Sequence, residues 1–241
     1  LAHAHSRWGR LPWAEVVEPA RRLAADGVRL SHDAAYAMSW SKGVLSRWPA
    51  GRAVFLRPDG TSRQAGDLWI QPDLAWTLGE IERDGPDAFY LGAVADRIVA
   101  SMQAHGGLIT HEDLARYRPA ERTPIETDYR GHRVVTMPPS SAGGVMLLEL
   151  LNIVERFDLK AMGADTAASL HVMSEAMKLA QLDRTRYIGD PEFSRLPTER
   201  LISQPYADRR SALISTDGVL AAPSLVPGDP WEVEGVDTTH F

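Results

Sequence analysis

The segment from residue 123 to residue 157 reads TPIETDYRGHRVVTMPPSSAGGVMLLELLNIVERF and contains patterns typical of both strands and a helix. In its first half, residues alternate with a period of about two on either side of Arg130-Gly131, which predicts two paired strands. From Val145 to Phe157 nearly every residue is apolar, which suits a helix only if most of its circumference is buried. The stretch therefore predicts an α+β chain.

Helical spacing of apolar residues dominates the rest of the chain. Thr110 and Asp113 have the spacing of a helix N-terminal capping box. Residues 49–66 and 216–230 are rich in Gly, Pro and Asp, so we interpret both as irregular. Helices are predicted over residues 11–27, 32–48, 72–84, 94–102, 110–117, 145–157, 166–187 and 206–213. One apolar stripe of the 166–187 helix carries Leu170, Met173, Met177 and Ala180.

The composition narrows the class of protein. With 241 residues, 44% of them hydrophobic and 24% charged, the chain has the make-up of a soluble folded protein. It contains no cysteine, which excludes a disulfide framework, thiolate catalysis and cysteine-based metal sites. A net charge of −6 with mixed signs gives no reason to expect nucleic acid or an anionic membrane as a partner. We also expect no membrane segment.

Four histidines are candidate metal ligands, and a glycine pair is part of a candidate anion-binding loop. Two nearby histidines cannot complete the three or four ligands that zinc needs, so we predict no metal site for the pair His3 and His5. His105 and His111 flank a Gly-Gly turn and are interpreted as exposed loop and helix-start residues. The loop 138–144, PPSSAGG, precedes a helix and fits either an anion-binding loop or a tight connection that needs small residues. We expect no cofactor.

A charged group near the end of the predicted 166–187 helix leaves alternatives open. Asp183, Arg184 and Arg186 are candidates for binding a charged substrate. A solvated helix face or a buried ion pair explains the same residues equally well.

The last residues suggest a specific chemistry. A Thr hydroxyl is a poor nucleophile until a base removes its proton, and a Thr with a free α-amino group carries that base itself. Cleavage of the Asp237-Thr238 peptide bond would create such a residue, whose amine with a pKa of about 8 suits proton transfer at neutral pH. Taken alone, Thr-Thr-His-Phe at 238–241 indicates the start of a strand, because such short motifs also occur by chance.

Several motifs, in order, resemble the γ-glutamyltranspeptidase family, also called glutathione hydrolases. They are WGRLPW at 8–13, GLITHEDL at 107–114, ERTPI at 121–125 with DYRG at 128–131, PPSSAGG at 138–144, DR at 183–184 with YIGDP at 187–191, and TTHF at 238–241. Members of that family are N-terminal-nucleophile hydrolases made as one precursor that cleaves itself into a large and a small subunit. The small subunit begins with Thr-Thr-His and an aromatic residue.

The resemblance implies a fold and a division of the chain. The fold would be a four-layer αββα sandwich, to which this chain contributes mostly helices and a few strands. Residues 1–237 would be a large-subunit portion, and residues 238–241 the start of the small subunit. We expect the chain to be a piece of such a precursor that is inactive alone, with the family's upstream Arg and downstream Asp, Ser pair and Gly pair outside it.

The resemblance also implies an activity. Thr238 would be the nucleophile, Thr239 a supporting residue, and His240 either a packed or a functional residue. The reaction would be hydrolysis or transfer of γ-glutamyl amides such as glutathione, with water, an amino acid or a peptide as acceptor, and its own small subunit as protein partner. The alternatives are a cephalosporin or glutaryl acylase on the same scaffold, or a non-catalytic binding relative. A periplasmic or extracellular location is expected.

Overall fold

The structure is a computed structural model that describes residues 1–221 and 225–231. The chain divides into two compact units, Leu1–Ala120 and Glu121–Phe241. Each described unit is mainly helical and has one pair of short antiparallel strands. This confirms the prediction of an α+β chain with many helices and few strands.

The first unit surrounds the packing of two amphipathic helices. Its elements are α1 (Ala2–Trp8), α2 (Trp13–Asp26), β1 (Val28–Arg29), α3 (His32–Trp40), α4 (Lys42–Leu45), α5 (Pro49–Phe55), β2 (Leu68–Trp69), α6 (Pro72–Asp84), α7 (Asp87–Tyr90), α8 (Ala93–His105) and α9 (His111–Arg116). Helices α2 and α6 pack together. The Trp13 indole donates to the carbonyl of Ile81 at 2.8 Å, and Arg21 pairs with Glu82 across the same interface.

Two predictions in this unit need correction, one helix was missed, and one prediction is confirmed. The predicted helix 32–48 is divided at Ser41, whose backbone serves as the C-cap of α3 and the N-cap of α4. Residues 49–66 are not wholly irregular, because Pro49 starts α5 in the first-turn position that suits its fixed φ. Helix α1 was not predicted. The capping box is confirmed, since Thr110 and Asp113 bond reciprocally to each other's backbone amides.

The second unit begins with the predicted hairpin. Its elements are β3 (Ile125–Tyr129), β4 (His132–Thr136), α10 (Ala142–Val154), α11 (Leu159–Met162), α12 (Ala167–Tyr187), α13 (Thr198–Leu201) and α14 (Gln204–Ser211). Arg130 and Gly131 both have positive φ, as a two-residue type I′ turn requires. The Thr127 hydroxyl donates to Asn152 on α10 at 2.9 Å, which joins the hairpin to the helices.

The core of the second unit lies where α10 and α14 pack on α12. Leu148, Ile153 and Leu179 are fully buried there, and each such side chain contributes about 1.5–3 kcal/mol by leaving water. The interpretation of α10 as a largely buried helix is therefore confirmed. Its buried residues are Gly144, Val145, Leu148, Glu149, Asn152, Ile153 and Val154.

The apolar stripe predicted on α12 is not the buried one. Leu170, Met173 and Met177 are 41–49% exposed, and only Ala180 of that set is buried. The core instead receives the adjacent side of the helix, which includes two acidic residues. Periodicity alone does not distinguish these two sides, because both carry apolar residues at helical spacing.

Each helix within residues 1–221 and 225–231 is too short or too polar to span a lipid bilayer.

Candidate functional site

The main sequence candidates lie at the end of the chain. Asp237, Thr238, Thr239 and His240 fall outside the described residues, so the predicted cleavage bond and nucleophile stay predictions. The structure does describe residues 225–231, which precede them, and the buried polar side chains that bind this segment. We call residues 225–231 the anchored segment.

A buried cluster of four polar side chains binds the anchored segment. These residues, called the polar clamp below, are Glu149, Asp183, Tyr206 and Arg210. Asp183 lies at the centre with a side chain that is 0% exposed. Its Oδ1 accepts a hydrogen bond from the amide of Gly228 at 2.6 Å. Its Oδ2 accepts one from the Tyr206 hydroxyl at 2.8 Å and lies 3.0 Å from Nε of Arg210.

Helical spacing brings the members of the clamp together. The buried side of α12 advances by four, three and four residues: Val172, Ala176, Leu179 and Asp183. On α14, Tyr206 and Arg210 are four residues apart and therefore share a face. Ser203 caps α14 by accepting from the Tyr206 amide at 3.4 Å, and Pro205 occupies its first turn. The local sequence of α14 thus places the side chains of Tyr206 and Arg210 on the face that meets Asp183.

Glu149 brings a second acid into the same buried space. Burial raises the pKa of the Glu149 carboxyl well above its usual range, and the hydrogen bond and negative charge of Asp183 raise it further. This direction favours the protonated form of Glu149, because two carboxylates in the same buried space would repel each other. Within the described chain, Glu149 Oε1 is buried without a hydrogen-bond partner.

Tyr206 and Arg210 both act as donors. Burial raises the pKa of the Tyr206 phenol far above its usual value, and the charge of Asp183 raises it further, so the group stays protonated. Arg210, whose side chain is 4% exposed, balances the charge of Asp183. Its Nη2 also donates to the carbonyls of Leu179 and Val226, each at 3.3 Å.

The anchored segment is bound mainly through its backbone. The Tyr187 hydroxyl donates to the carbonyl of Gly228 at 2.7 Å, and the Tyr187 ring meets the Trp231 ring edge-on at 5.6 Å between centroids. Three arginines bind three further carbonyls: Arg210 that of Val226 at 3.3 Å, Arg209 that of Asp229 at 3.3 Å and Arg200 that of Pro230 at 3.4 Å. These bonds satisfy polar backbone groups that no helix or strand pairs.

Gly228 allows the segment to approach the clamp. A Cβ atom at this position would overlap Tyr206 Oη and would lie 2.9 Å from Cζ of Tyr206 and 3.1 Å from Cδ of Arg210. Real Cβ atoms do not approach ring carbons so closely, so any other residue must move the segment or the tyrosine. The close contact therefore depends on the absence of a side chain.

A second acidic residue of α12 holds the chain further upstream. Glu175, 1% exposed, accepts from the amide of Leu220 at 3.1 Å and from Nζ of Lys178 at 2.6 Å. Burial raises the pKa of Glu175, but the hydrogen bonds from Lys178 and Leu220 outweigh it and leave the pKa below its usual value. Glu175 is therefore an ionised anchor.

These positions decide between the open interpretations of the charged group on α12. Asp183 is in a buried ion pair, while Arg184 and Arg186 are exposed. Both clamp carboxyl groups are buried and Asp183 bonds the backbone of Gly228, which favours the buried ion pair as the role of Asp183. Sequence reasoning did not identify Glu149, Tyr206 or Arg210. The available signals were an acid within the apolar run 145–157 and the tyrosine–arginine spacing on α14.

The loop 138–144 is a tight connection between β4 and α10. A Cβ atom on Gly144 would overlap the carbonyl oxygen of Met137 and lie 3.0 Å from its carbon. Ser141 is the N-cap of α10 but forms no side-chain capping bond. Small residues are needed here for the close turn, which supports the structural interpretation of this loop.

The histidines are engaged in local contacts. His5 bonds the carbonyl of Leu11 at 2.8 Å, His105 that of Ser101 at 2.8 Å, and His111 lies 2.9 Å from Asp96. His3 and His5 both lie on α1, which is a helix and not a strand. Across residues 1–221 and 225–231, no group of three or more His, Asp or Glu side chains is arranged to hold a metal ion.

Similar sequences extend along the whole chain. Residues 1–241 match the family model described as Gamma-glutamyltranspeptidase. The chain is 38% identical over 239 residues to the glutathione hydrolase proenzyme of Escherichia coli (strain K12), covering 99% of this chain and 41% of that protein. It is also 38% identical over 237 residues to the acylase ACY 1 proenzyme of Pseudomonas sp. (strain SE83), covering 98% and 42%.

A solved structure agrees with the fold. The crystal structure of Helicobacter pylori γ-glutamyltranspeptidase aligns with a TM-score of 0.91 at 33% sequence identity, covering 97% of this chain and 67% of that chain. The chain spans about two fifths of the length of the curated relatives named above.

Proposed function

This chain belongs to the γ-glutamyltranspeptidase family, and from that premise we propose that the full-length polypeptide carrying it hydrolyses or transfers γ-glutamyl amides such as glutathione. The observation that carries the proposal is the family match over residues 1–241, which includes the Thr-Thr-His motif at 238–240. The E. coli relative named above is a glutathione hydrolase proenzyme. The acceptor would be water, an amino acid or a peptide.

The first stage is self-cleavage. The Thr238 hydroxyl oxygen attacks the carbonyl carbon of Asp237, and the Asp237-Thr238 C–N bond breaks as its nitrogen takes up the hydroxyl proton. The product is an ester that joins Asp237 to Thr238 through oxygen. Water hydrolyses this ester, which frees the carboxylate of Asp237 and leaves Thr238 with a free α-amino group and hydroxyl.

The second stage is catalysis by the new amino terminus. The Thr238 amine accepts the proton of its own hydroxyl, whose oxygen attacks the γ-glutamyl carbonyl. An oxyanion hole stabilises the tetrahedral intermediate, and the amine returns the proton to the leaving nitrogen. Water or an amino acid then takes the γ-glutamyl group from Thr238. Thr239 is proposed as a support for the nucleophile, and His240 is assigned no base role because this chemistry needs none.

The proposal includes the architecture of the whole protein. Residues 1–237 would belong to the large subunit, and Thr238 would begin the small subunit, its partner. The two would form a four-layer αββα sandwich. A periplasmic or extracellular location is proposed from the family resemblance.

An acylase is the second candidate. The acylase ACY 1 proenzyme of Pseudomonas is 38% identical to this chain, the same figure as the glutathione hydrolase proenzyme of E. coli. Both reactions use the same nucleophile and differ in the acyl group that is recognised. A glutaryl group lacks the α-amino group of a γ-glutamyl group, so a paired substrate test separates the two activities. A non-catalytic relative would turn over neither substrate.

The test uses the full-length polypeptide and two anilides. We expect mass spectrometry to find two chains divided between Asp237 and Thr238, and the protein to release p-nitroaniline from the γ-glutamyl anilide faster than from the glutaryl anilide. Thr238→Ala should stay uncut and inactive, and Thr238→Ser should keep measurable cleavage. Thr239→Ala should still be cut at Thr238 but turn over more slowly, because Thr239 supports the nucleophile. A wild-type protein that remains one chain and releases no product from either anilide contradicts the proposal.

A further inference from the structure

The anchored segment lies a short distance in sequence from the proposed cleavage bond. Thr238 is the tenth residue after Gly228 and the seventh after Trp231. An extended chain advances at most about 3.6 Å per residue, so the bond is confined to within about 36 Å of the Gly228 anchor and about 25 Å of Trp231. The anchor therefore limits where the bond can be.

We propose that the polar clamp is a positioning device for self-cleavage at Asp237-Thr238, an inference that rests on the proposed function. By fixing Gly228, the clamp restricts the conformations of the chain that leads to the bond. Restricting a reacting group to the productive region is worth a large factor in rate, because the loss of freedom occurs during folding and not at the moment of reaction. The clamp itself makes and breaks no covalent bond.

The hydrogen bonds of the clamp indicate that it holds the anchored segment in addition to joining helices. Asp183 Oδ1 bonds the amide of Gly228, although Oδ2 is enough to join Tyr206 and Arg210. Tyr187 bonds the carbonyl of the same glycine. Both polar groups of one backbone unit are thus held by side chains of α12. An apolar core would pack the helices without this arrangement, because buried ion pairs are weak devices for stability.

The other clamp members fix Asp183 itself. Tyr206 and Arg210 hold Oδ2, and Glu149 shares the buried space on the α10 side. The carboxylate therefore presents Oδ1 to Gly228 in one direction. Asp183, Tyr206 and Arg210 are positioning residues in this account, as is Tyr187.

The test measures the rate of splitting in the full-length polypeptide by pulse–chase labelling and gel electrophoresis. Gly228→Ala pushes the segment away from Tyr206 without changing charge, and we expect it to slow splitting about 10- to 100-fold. Gly218→Ala is the matched control, because a Cβ atom there meets no atom within 4 Å. It should split at the wild-type rate.

A second pair of variants covers the case in which Gly228→Ala fails to fold. Tyr187→Phe removes one hydroxyl and adds no volume, and it should also slow splitting. Tyr36→Phe, at an exposed tyrosine, is its control. For both test variants, we expect the p-nitroaniline turnover per split molecule to remain at the wild-type value, since the clamp acts before the nucleophile is free.

Two results would overturn the inference while leaving the proposed function intact. One is wild-type splitting rates in both Gly228→Ala and Tyr187→Phe. The other is a loss of splitting that is matched by an equal loss of turnover per split molecule, which would mean a general structural role. If the wild-type protein itself is never split at Thr238, the proposed function fails and the inference fails with it.

Discussion

The two units each contain an arginine–aspartate pair, and the better hydrogen-bond geometry belongs to the more exposed pair. In the first unit, Arg57 donates to Asp67 through Nε at 2.9 Å and Nη2 at 2.8 Å, with the side chains 32% and 25% exposed. In the second unit, Arg210 Nε lies 3.0 Å from Asp183 Oδ2 but does not form a hydrogen bond with it, and the two side chains are 4% and 0% exposed. The pair with the better hydrogen bonds is therefore the less buried of the two.

The difference in burial determines how much each ion pair affects the free energy of folding. A partly exposed pair keeps part of its hydration, so forming or losing it changes the free energy of folding less than for a buried pair. A buried pair has lost that hydration, and removal of one partner leaves an isolated charge in the core. Asp183 is tolerable there because Tyr206 and the Gly228 amide supply the bonds that Arg210 does not. The buried pair is therefore part of a network that fixes geometry.

The acids of the two regions also differ in the direction of their pKa. The hydrogen bond from Arg57 holds the pKa of Asp67 below its usual value, while burial raises that of Glu149. Asp67 therefore contributes stability that is lost as the pH falls. Glu149 contributes in the opposite sense, because it is accommodated best while it carries its proton.

The largest difference is expected on removal of the two aspartates. Asp183→Ala should lower the free energy of unfolding by about 3–5 kcal/mol, because it leaves Arg210 charged and buried. Asp67→Ala should leave that free energy near the wild-type value. Urea unfolding followed by circular dichroism measures both. Equal losses in the two variants would show that burial does not separate the pairs.

A smaller loss is expected from the tyrosine that donates to Asp183. Tyr206→Phe removes one hydrogen bond to a charged group and should cost about 1.5–3 kcal/mol. Tyr36→Phe, at a tyrosine that is 72% exposed, is the matched control and should have no measurable effect. The same urea experiment measures both variants. If Tyr206→Phe leaves the free energy of unfolding unchanged, Arg210 and Gly228 alone hold Asp183.

The effect expected from Glu149→Gln depends on pH and is absent below the ordinary glutamate pKa. In the wild-type protein, unfolding releases the Glu149 proton once the pH exceeds the ordinary glutamate pKa, so stability should fall with rising pH at up to about 1.4 kcal/mol per unit. This fall ends at the raised folded-state pKa. The glutamine variant cannot ionise and should lack the fall. Glu15→Gln, at an exposed glutamate, should keep the wild-type pH profile of urea unfolding.

The sequence predicts local features of this fold well, because each depends on neighbours in the chain. The Thr110 capping box, the hairpin around Arg130-Gly131 and the need for Gly144 follow from short motifs. The buried side of α12 does not, because Met173 and Met177 have the same spacing as the residues that are buried. Which side is covered depends on α10 and α14.

The polar clamp was predicted only in part. Asp183 was a candidate, with a buried ion pair among its interpretations, but its partners lie 23 and 27 residues later at Tyr206 and Arg210. Pairs at that separation are set by the packing of α14 on α12, which no local period encodes. The acid at Glu149 was a visible clue, since an apolar helix that buries a carboxyl needs a polar group opposite it.

Gly228 and its neighbours are held through backbone carbonyls and one amide, which has a consequence for sequence tolerance. Recognition of backbone does not depend on side-chain identity, so a library that varies Val226 should yield many working sequences. At position 228 the same library should return glycine almost alone. The segment ahead of the cleavage bond can therefore diverge widely among related proteins and still occupy the same place, provided that this one residue has no side chain.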